Sequence, residues 1–112
     1  MTYSQFDVVV VPFPFTDISA TKRRPALVLS DEIFNTPSHR SVMAMITTAS
    51  HSPWVLDVAI ADLASTGLKA ASVVRMKLFT LDDSIVVKQI GILAQTDKLA
   101  VQKALQLLFA IA

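Results

Sequence analysis

Four consecutive valines, Val8-Val9-Val10-Val11, closed off by Pro12 and Pro14, constrain this chain more than any other feature. A β-branched run of this length loses side-chain freedom in a helix and packs well on a pleated surface, so it reads as a buried strand. Pro12-Phe13-Pro14-Phe15 is expected to stop regular ladder pairing, and 16–21 (Thr-Asp-Ile-Ser-Ala-Thr) to form a mobile polar loop. That loop leads into Lys22-Arg23-Arg24-Pro25, the only run of three adjacent cations, directly ahead of an apolar strand over Ala26–Ser30. Pro25 fixes its own φ and biases Arg24 toward an extended backbone, so the triplet sets a guanidinium at the mouth of a core element.

The remaining chain continues the same theme. Asp31–Asn35 and Pro37-Ser38-His39-Arg40 read as a loop and turn, Val42–Ile46 as a third strand, and Thr47–Pro53 as a hydroxyl-rich strand end. Trp54–Val58 reads as a strand and Thr66-Gly67-Leu68 as a turn. Ser72–Leu81 and Ile85–Leu93 are expected to pair as a hairpin through Asp82-Asp83-Ser84, with Gly91 at a bulge or close approach. After Thr96, a candidate N-cap followed by Asp97 in the first turn, Val101, Ala104, Leu105, Leu108 and Ile111 recur at helical spacing. Leu107 and Phe109 lie off that stripe, so the helix is expected to be buried on more than one side. The order β, β, β, β, β, β, α predicts a mainly β, α+β architecture: a strongly bent antiparallel sheet or small barrel closed by a C-terminal helix.

Composition narrows the function classes. At 112 residues the chain is expected to form one domain, 1–112, with a core that needs no staples, and it has no cysteine. Disulfide scaffolds and thiolate metal sites are therefore excluded. No apolar run approaches a membrane span, and the first residues lack the basic and apolar regions of a secretory signal, so a soluble cytoplasmic protein is expected. A net charge of +1 points to focal rather than blanket contact with nucleic acid.

Arg24 is the sharpest chemical candidate, because a planar guanidinium at a stiffened strand start can fork onto phosphate oxygens. The plainer alternative is a solvated strand-end arginine. Lys22 and Arg23 read as a solvated loop face. Strand alternation sends Thr47 and Thr48 to opposite sides, so one hydroxyl can face a site, although threonine is also simply a good strand residue. His39 and His51 are the only imidazoles, so any histidine acid–base scheme must use one or both of them. Ser72 and Arg75, three apart in a strand, are expected on opposite faces. Asp82-Asp83 could ligate a cation, with turn capping the simpler use. No glycine-rich phosphate loop, His-x-x-x-His pair or Gly-x-Ser-x-Gly elbow is present.

Taken together, Asp7–Asp17, Lys22–Ser30, Ile46-Thr47-Thr48 and Ser72-Val73-Val74-Arg75 with Leu78–Asp82 make the sequence resemble the MazF/PemK-type toxins of bacterial type II toxin–antitoxin systems. The resemblance implies an SH3-like barrel with a terminal helix and a homodimer. It also implies sequence-specific, metal-independent endoribonuclease action on single-stranded RNA, inhibiting translation and growth, with a cognate antitoxin as partner. The family's catalytic arginine and threonine fall on Arg24 and Thr47. Lys22, Arg23, Thr16, Thr48 and His51 become candidate substrate-binding residues, Trp54 or Phe15 candidate stacking surfaces, and no metal or cofactor is expected. Members of related folds poison DNA gyrase, so a non-enzymatic toxin that binds gyrase or another protein is the alternative. One departure is visible: the family usually carries glycine before the early aspartate, where this chain has Phe6, which bears on the backbone turn into the first strand.

Overall fold

Alternation along three neighbouring strands divides their side chains between two cores. In the computed structural model, which describes residues 1–13 and 22–111, β1 spans Asp7–Phe13, β2 Lys22–Val28 and β3 Arg40–Thr48. Val8, Leu27, Ala44 and Ile46 pack into one core, Val9, Val11, Ala26, Val28 and Met43 into the other. A strand covered on both faces needs apolar residues at every position, and the valine run supplies them. β4 (Val58–Ala59), β5 (Ser72–Asp82) and β6 (Lys88–Ile92) extend the sheet, whose order is β4-β5-β3-β2-β1-β6 with every pairing antiparallel. Helices α1 (Glu32–Ser38) and α2 (Gln95–Phe109) complete the described chain. This is the expected curled antiparallel sheet, a half-barrel, with a C-terminal helix. Among the described residues no helix is long and apolar enough to cross a membrane.

Several local expectations are corrected. The ladder does not stop at Pro12: Pro12 lies opposite Arg23 and Phe13 opposite Lys22, so the basic triplet belongs to β2 rather than to a loop. Residues 32–38 form a helix despite their turn-forming composition. Asp31 caps it by accepting from Ile33 N–H (2.9 Å), and buried Asn35 ties it down by donating to the carbonyls of Tyr3 (2.9 Å) and Ser30 (2.8 Å). Those partners are distant or non-periodic in sequence, so no helical pattern announces the element. The strand expected over Trp54–Val58 shrinks to Val58–Ala59, because Trp54 N–H donates to Asp57 Oδ2 (2.8 Å) and closes a turn.

The hairpin also fails. β5 pairs with β3 and β4, whereas β6 crosses to pair with β1. The joining residues Asp83–Ile85 form a 3-10 turn anchored to β3: Ser41 Oγ donates to the buried Asp83 carboxylate (3.0 Å), and Asp83 N–H to His39 O (3.0 Å). An anchored corner redirects the chain, which a free two-residue turn would not do. Gly91 does sit at an irregularity, where the partners of Val8 and Val9 step from Gly91 to Gln89. A Cβ there would lie 2.4 Å from the Thr66 carbonyl carbon, so only glycine fits without a backbone shift.

α2 begins at Gln95 with Ala94 as its cap residue, so Thr96 is not the N-cap. Asp97 lies in the first turn as expected and does more than favour the helix dipole. Its buried carboxylate accepts from Ala61 N–H (2.9 Å) and Asp62 N–H (3.0 Å), pinning the helix to the chain beyond β4. Val101 and Ala104 are buried, but Leu107, Leu108, Phe109 and Ile111 are exposed, so the end of the helix is not covered within this chain.

Phe6 takes the conformation that glycine would supply, with φ of 72°. Its N–H donates to Val28 O (2.7 Å), its carbonyl accepts from Leu93 N–H (3.0 Å), and its ring is 5% exposed in the first core. Left-handed backbone costs a side-chain-bearing residue about 1–2 kcal/mol, whereas truncating a buried phenylalanine costs about 3–5 kcal/mol. The ring outweighs the strain. Phe6→Gly is therefore expected to lower stability by about 2 kcal/mol or more in urea unfolding, although it relieves the backbone; a more stable variant would refute this balance.

Candidate functional site

The ends of β2, β3 and β5 surround a cavity of about 260 Å³. β2 contributes Arg24 and Pro25, β3 contributes Met45 through Thr48, and β5 contributes Ser72, Arg75 and Lys77. Phe13, His51 and Trp54 complete its wall. Arg24 reaches it from within β2, opposite Val11, with its guanidinium carbon 5.9 Å from the Phe13 ring centroid. Among the described residues Arg24 forms no ion pair; those present are Arg40–Asp82 and Arg75–Asp57. An exposed guanidinium held this way keeps its donors available for an anion.

Thr47 and Thr48 end β3 opposite Val73 and Ser72. The turn after β3 folds His51 back onto them: His51 N–H donates to Thr48 O (3.2 Å), and its ring Nδ1 lies 2.6 Å from Thr47 Oγ1 and 3.2 Å from Thr48 Oγ1. Both threonines therefore line the cavity, despite alternation along the strand, because it curls around the strand end. Ser72 and Arg75, whose spacing predicts opposite faces, also both line the cavity.

Not every candidate converges here. Lys22 and Arg23 are exposed on β2 and do not line the cavity, and Thr16 and Phe15 lie outside the described residues. His39 caps α1 in a left-handed conformation and is not part of the wall, so the two imidazoles do not form a pair. Asp82 is paired with Arg40 at 2.9 Å and Asp83 with Ser41. Among the described residues no group of three or more histidine, cysteine or acidic side chains gathers in a way that could hold a metal ion.

Sequence reasoning misses a cluster on the opposite wall. Arg75 Nε and Nη2 donate to the two Asp57 carboxylate oxygens at 3.2 and 3.0 Å, Nη2 also donates to Ser52 O (2.7 Å), and the guanidinium stacks 4.9 Å from the Trp54 ring centroid. A register irregularity places it: between Ala44 and Met45 the β5 partners step from Leu78 to Arg75, leaving Met76 and Lys77 without counterparts. Such a bulge bends the strand and re-aims its side chains. The one sequence signal is a lone arginine inside the apolar β5, a position that demands a partner. A second cavity of about 370 Å³, lined mostly by apolar residues including Leu29, Val42, Leu78, Leu105, Phe109 and Ile111 with Ser30 and Gln106, holds no charged side chain among the described residues.

The Arg75 hydrogen bonds hold the Asp57 carboxyl below the usual carboxylate range, against the opposing effect of burial and with help from the Trp54 N–H. A depressed folded-state pKa contributes stability above the unfolded value, near 3.9, that is lost as pH falls through the folded value. Asp57→Asn is therefore expected to cost about 2 kcal/mol at pH 7, and the gap from the parent should narrow as urea titrations are moved to pH 3. A pH-independent difference would show that the charge on Asp57 is immaterial.

Comparison with known proteins agrees with this architecture. A family model described as PemK-like, MazF-like toxin of type II toxin–antitoxin systems matches residues 4–109. A search of curated proteins gave no significant match. Among solved structures, a MazE-MazF crystal structure from Deinococcus radiodurans is similar with a TM-score of 0.77 at 19% identity, covering 100% of this chain and 99% of that one. An endoribonuclease in complex with its cognate antitoxin, from a mycobacterial species, gives 0.79 at 14% identity over 98% and 97% of the two chains. The Mycobacterium tuberculosis toxin MazF-mt6 gives 0.74 at 23% identity over 95% and 98%. At these identities the structural likeness speaks for the fold, and the family match speaks for descent: the chain belongs to the PemK-like, MazF-like toxins of type II toxin–antitoxin systems.

Proposed function

We propose that this toxin is a metal-independent endoribonuclease that cuts single-stranded RNA in the cavity between β2, β3 and β5. The observation that carries this reading is the convergence on one open cavity of Arg24, which forms no ion pair among the described residues, and a strand-end hydroxyl, Thr47. In the reaction the ribose 2′-oxygen attacks the adjacent phosphorus, the bond to the 5′-oxygen breaks, and a 2′,3′-cyclic phosphate and a 5′-hydroxyl result. Negative charge grows on the phosphoryl oxygens along the way. Arg24 stabilises that charge, and Thr47 hydrogen-bonds the phosphate and orients the attack. Thr48 and His51 contact the substrate beside them, Trp54 offers a half-exposed face to an unstacked base, and Lys22, Arg23 and Thr16 meet the flanking backbone.

The whole chain is read as one toxin domain, 1–112, in keeping with the extent of the family match. Solved complexes of similar toxins with their antitoxins support a cognate antitoxin as its protein partner. A homodimer accounts for the exposed Leu107, Leu108, Phe109 and Ile111 on the final turns of the chain. Light scattering at micromolar concentration should then give twice the chain mass, and a monomer would count against it.

Purified protein should cleave a long single-stranded RNA in EDTA, leaving cyclic-phosphate and 5′-hydroxyl ends. Arg24→Ala should slow cleavage by about 100-fold or more, with an unchanged thermal midpoint because the residue is exposed. Intact RNA, with DNA supercoiling inhibited instead, would favour a gyrase-binding toxin. Cleavage by Arg24→Ala at the parent rate would remove Arg24 from the chemistry.

A further inference from the structure

The pair Arg24 and Thr47 supplies charge and a hydroxyl, but nothing to receive the proton of the attacking 2′-hydroxyl. Arginine stays protonated at neutral pH, and a threonine hydroxyl is not a base. The Asp57 carboxylate accepts two hydrogen bonds from Arg75 and is committed to that pair. His51 is different. Its ring lies in the cavity wall, Nδ1 sits 2.6 Å from Thr47 Oγ1, and Nε2 has no hydrogen-bond partner among the described residues.

We propose that His51 is a catalytic residue, the general base that accepts the 2′-hydroxyl proton at Nε2. The inference rests on the endoribonuclease reading of the same cavity. It assigns the tautomer: Nδ1–H donates to Thr47 Oγ1, which leaves the Nε2 lone pair open and the threonine O–H available to a phosphoryl oxygen. The bond between the 2′-oxygen and phosphorus forms as the hydroxyl proton passes to Nε2. The bond to the 5′-oxygen breaks, and that oxygen takes a proton from water. The imidazolium then returns its proton to the hydroxide so formed, and the ring is neutral again. No oxidant, metal or cofactor enters the balance. Among the described residues, the charged groups that line the cavity with this ring are Arg24 from β2 and Arg75 and Lys77 from β5; Asp57, in the turn before β4, is paired with Arg75.

Thr47 gains a second role from the same geometry. Its contact with Nδ1 fixes the ring, so one hydroxyl both orients the base and meets the phosphate. A merely structural histidine would serve Thr47 through Nδ1 alone, and asparagine can reproduce that contact because its amide N–H reaches a similar position without titrating.

The test is single-turnover cleavage of a single-stranded RNA in EDTA from pH 5 to 9, using the full chain and its His51→Asn and His51→Ala variants. The parent rate should rise with pH as the base loses its proton and then level. Both variants should be slower by about 100-fold or more and lose that rise, and added imidazole should restore part of the rate of His51→Ala. If His51→Asn cuts at the parent rate, contact with Thr47 is sufficient and the inference is overturned. It is overturned equally if either variant keeps the pH profile of the parent. Those results leave the endoribonuclease reading standing, whereas a parent protein that cuts no RNA at any pH overturns both.

Discussion

Burial of β1, β2 and β3 on both faces is the constraint on which the rest of the structure depends. Val8, Val9 and Val11 have no exposed surface, and neither do Ala26, Leu27 and Val28 or Met43 and Ala44. With period two, each strand feeds both cores, and a slip of one residue would exchange them wholesale. The register of the central sheet is therefore tightly determined. The cavity stands at the ends of these strands, so Arg24 and Thr47 inherit positions set by apolar packing several residues away.

The two cavity arginines meet opposite electrostatic demands. Arg75, almost enclosed, is neutralised by Asp57, held by Ser52 O and stacked on Trp54. A buried guanidinium needs that full set, since leaving its donors unpaired would be costly. Arg24 is exposed and needs no partner to be stable. Placing one enclosed and one solvated cation around the same space builds a firm wall on one side and an anion-seeking group on the other. Thr47, Thr48 and His51 span the gap with hydroxyls and an imidazole in mutual contact.

Elements are legible in the sequence where their determinants are local. The valine run, the Ala26–Val28 strand, the β3 core and the terminal helix all follow from β-branched content or from periodicity. Helix α1 is not legible, because its stability comes from Asn35 bonding to Tyr3 and Ser30 rather than from an apolar stripe. The expected hairpin fails for a related reason. Asp82-Asp83-Ser84 looks like a turn and is one, yet Ser41 and His39 hold it as a corner that sends β6 to β1. Phe6 shows a mixed outcome: the turn that glycine usually supplies is kept, at the cost of strain that the buried ring offsets.

By itself the sequence determined that this chain builds a bent β-sheet closed by a C-terminal helix, and it singled out Arg24 and Thr47 through the order of motifs that carry the family resemblance. The sheet and the helix depend on short-range patterns of side-chain branching, alternation and helical spacing, and Pro25 marks Arg24 locally, whereas Thr47 rests on the resemblance. Only the tertiary structure decided which polar groups meet. It brought His51 onto Thr47, joined Arg75 to Asp57 and Trp54, and left Lys22 and Arg23 outside the cavity. The reason is physical. Such contacts depend on ladder register, on the bulge in β5 and on turns closed by particular side chains, none of which has a periodic signature along the chain.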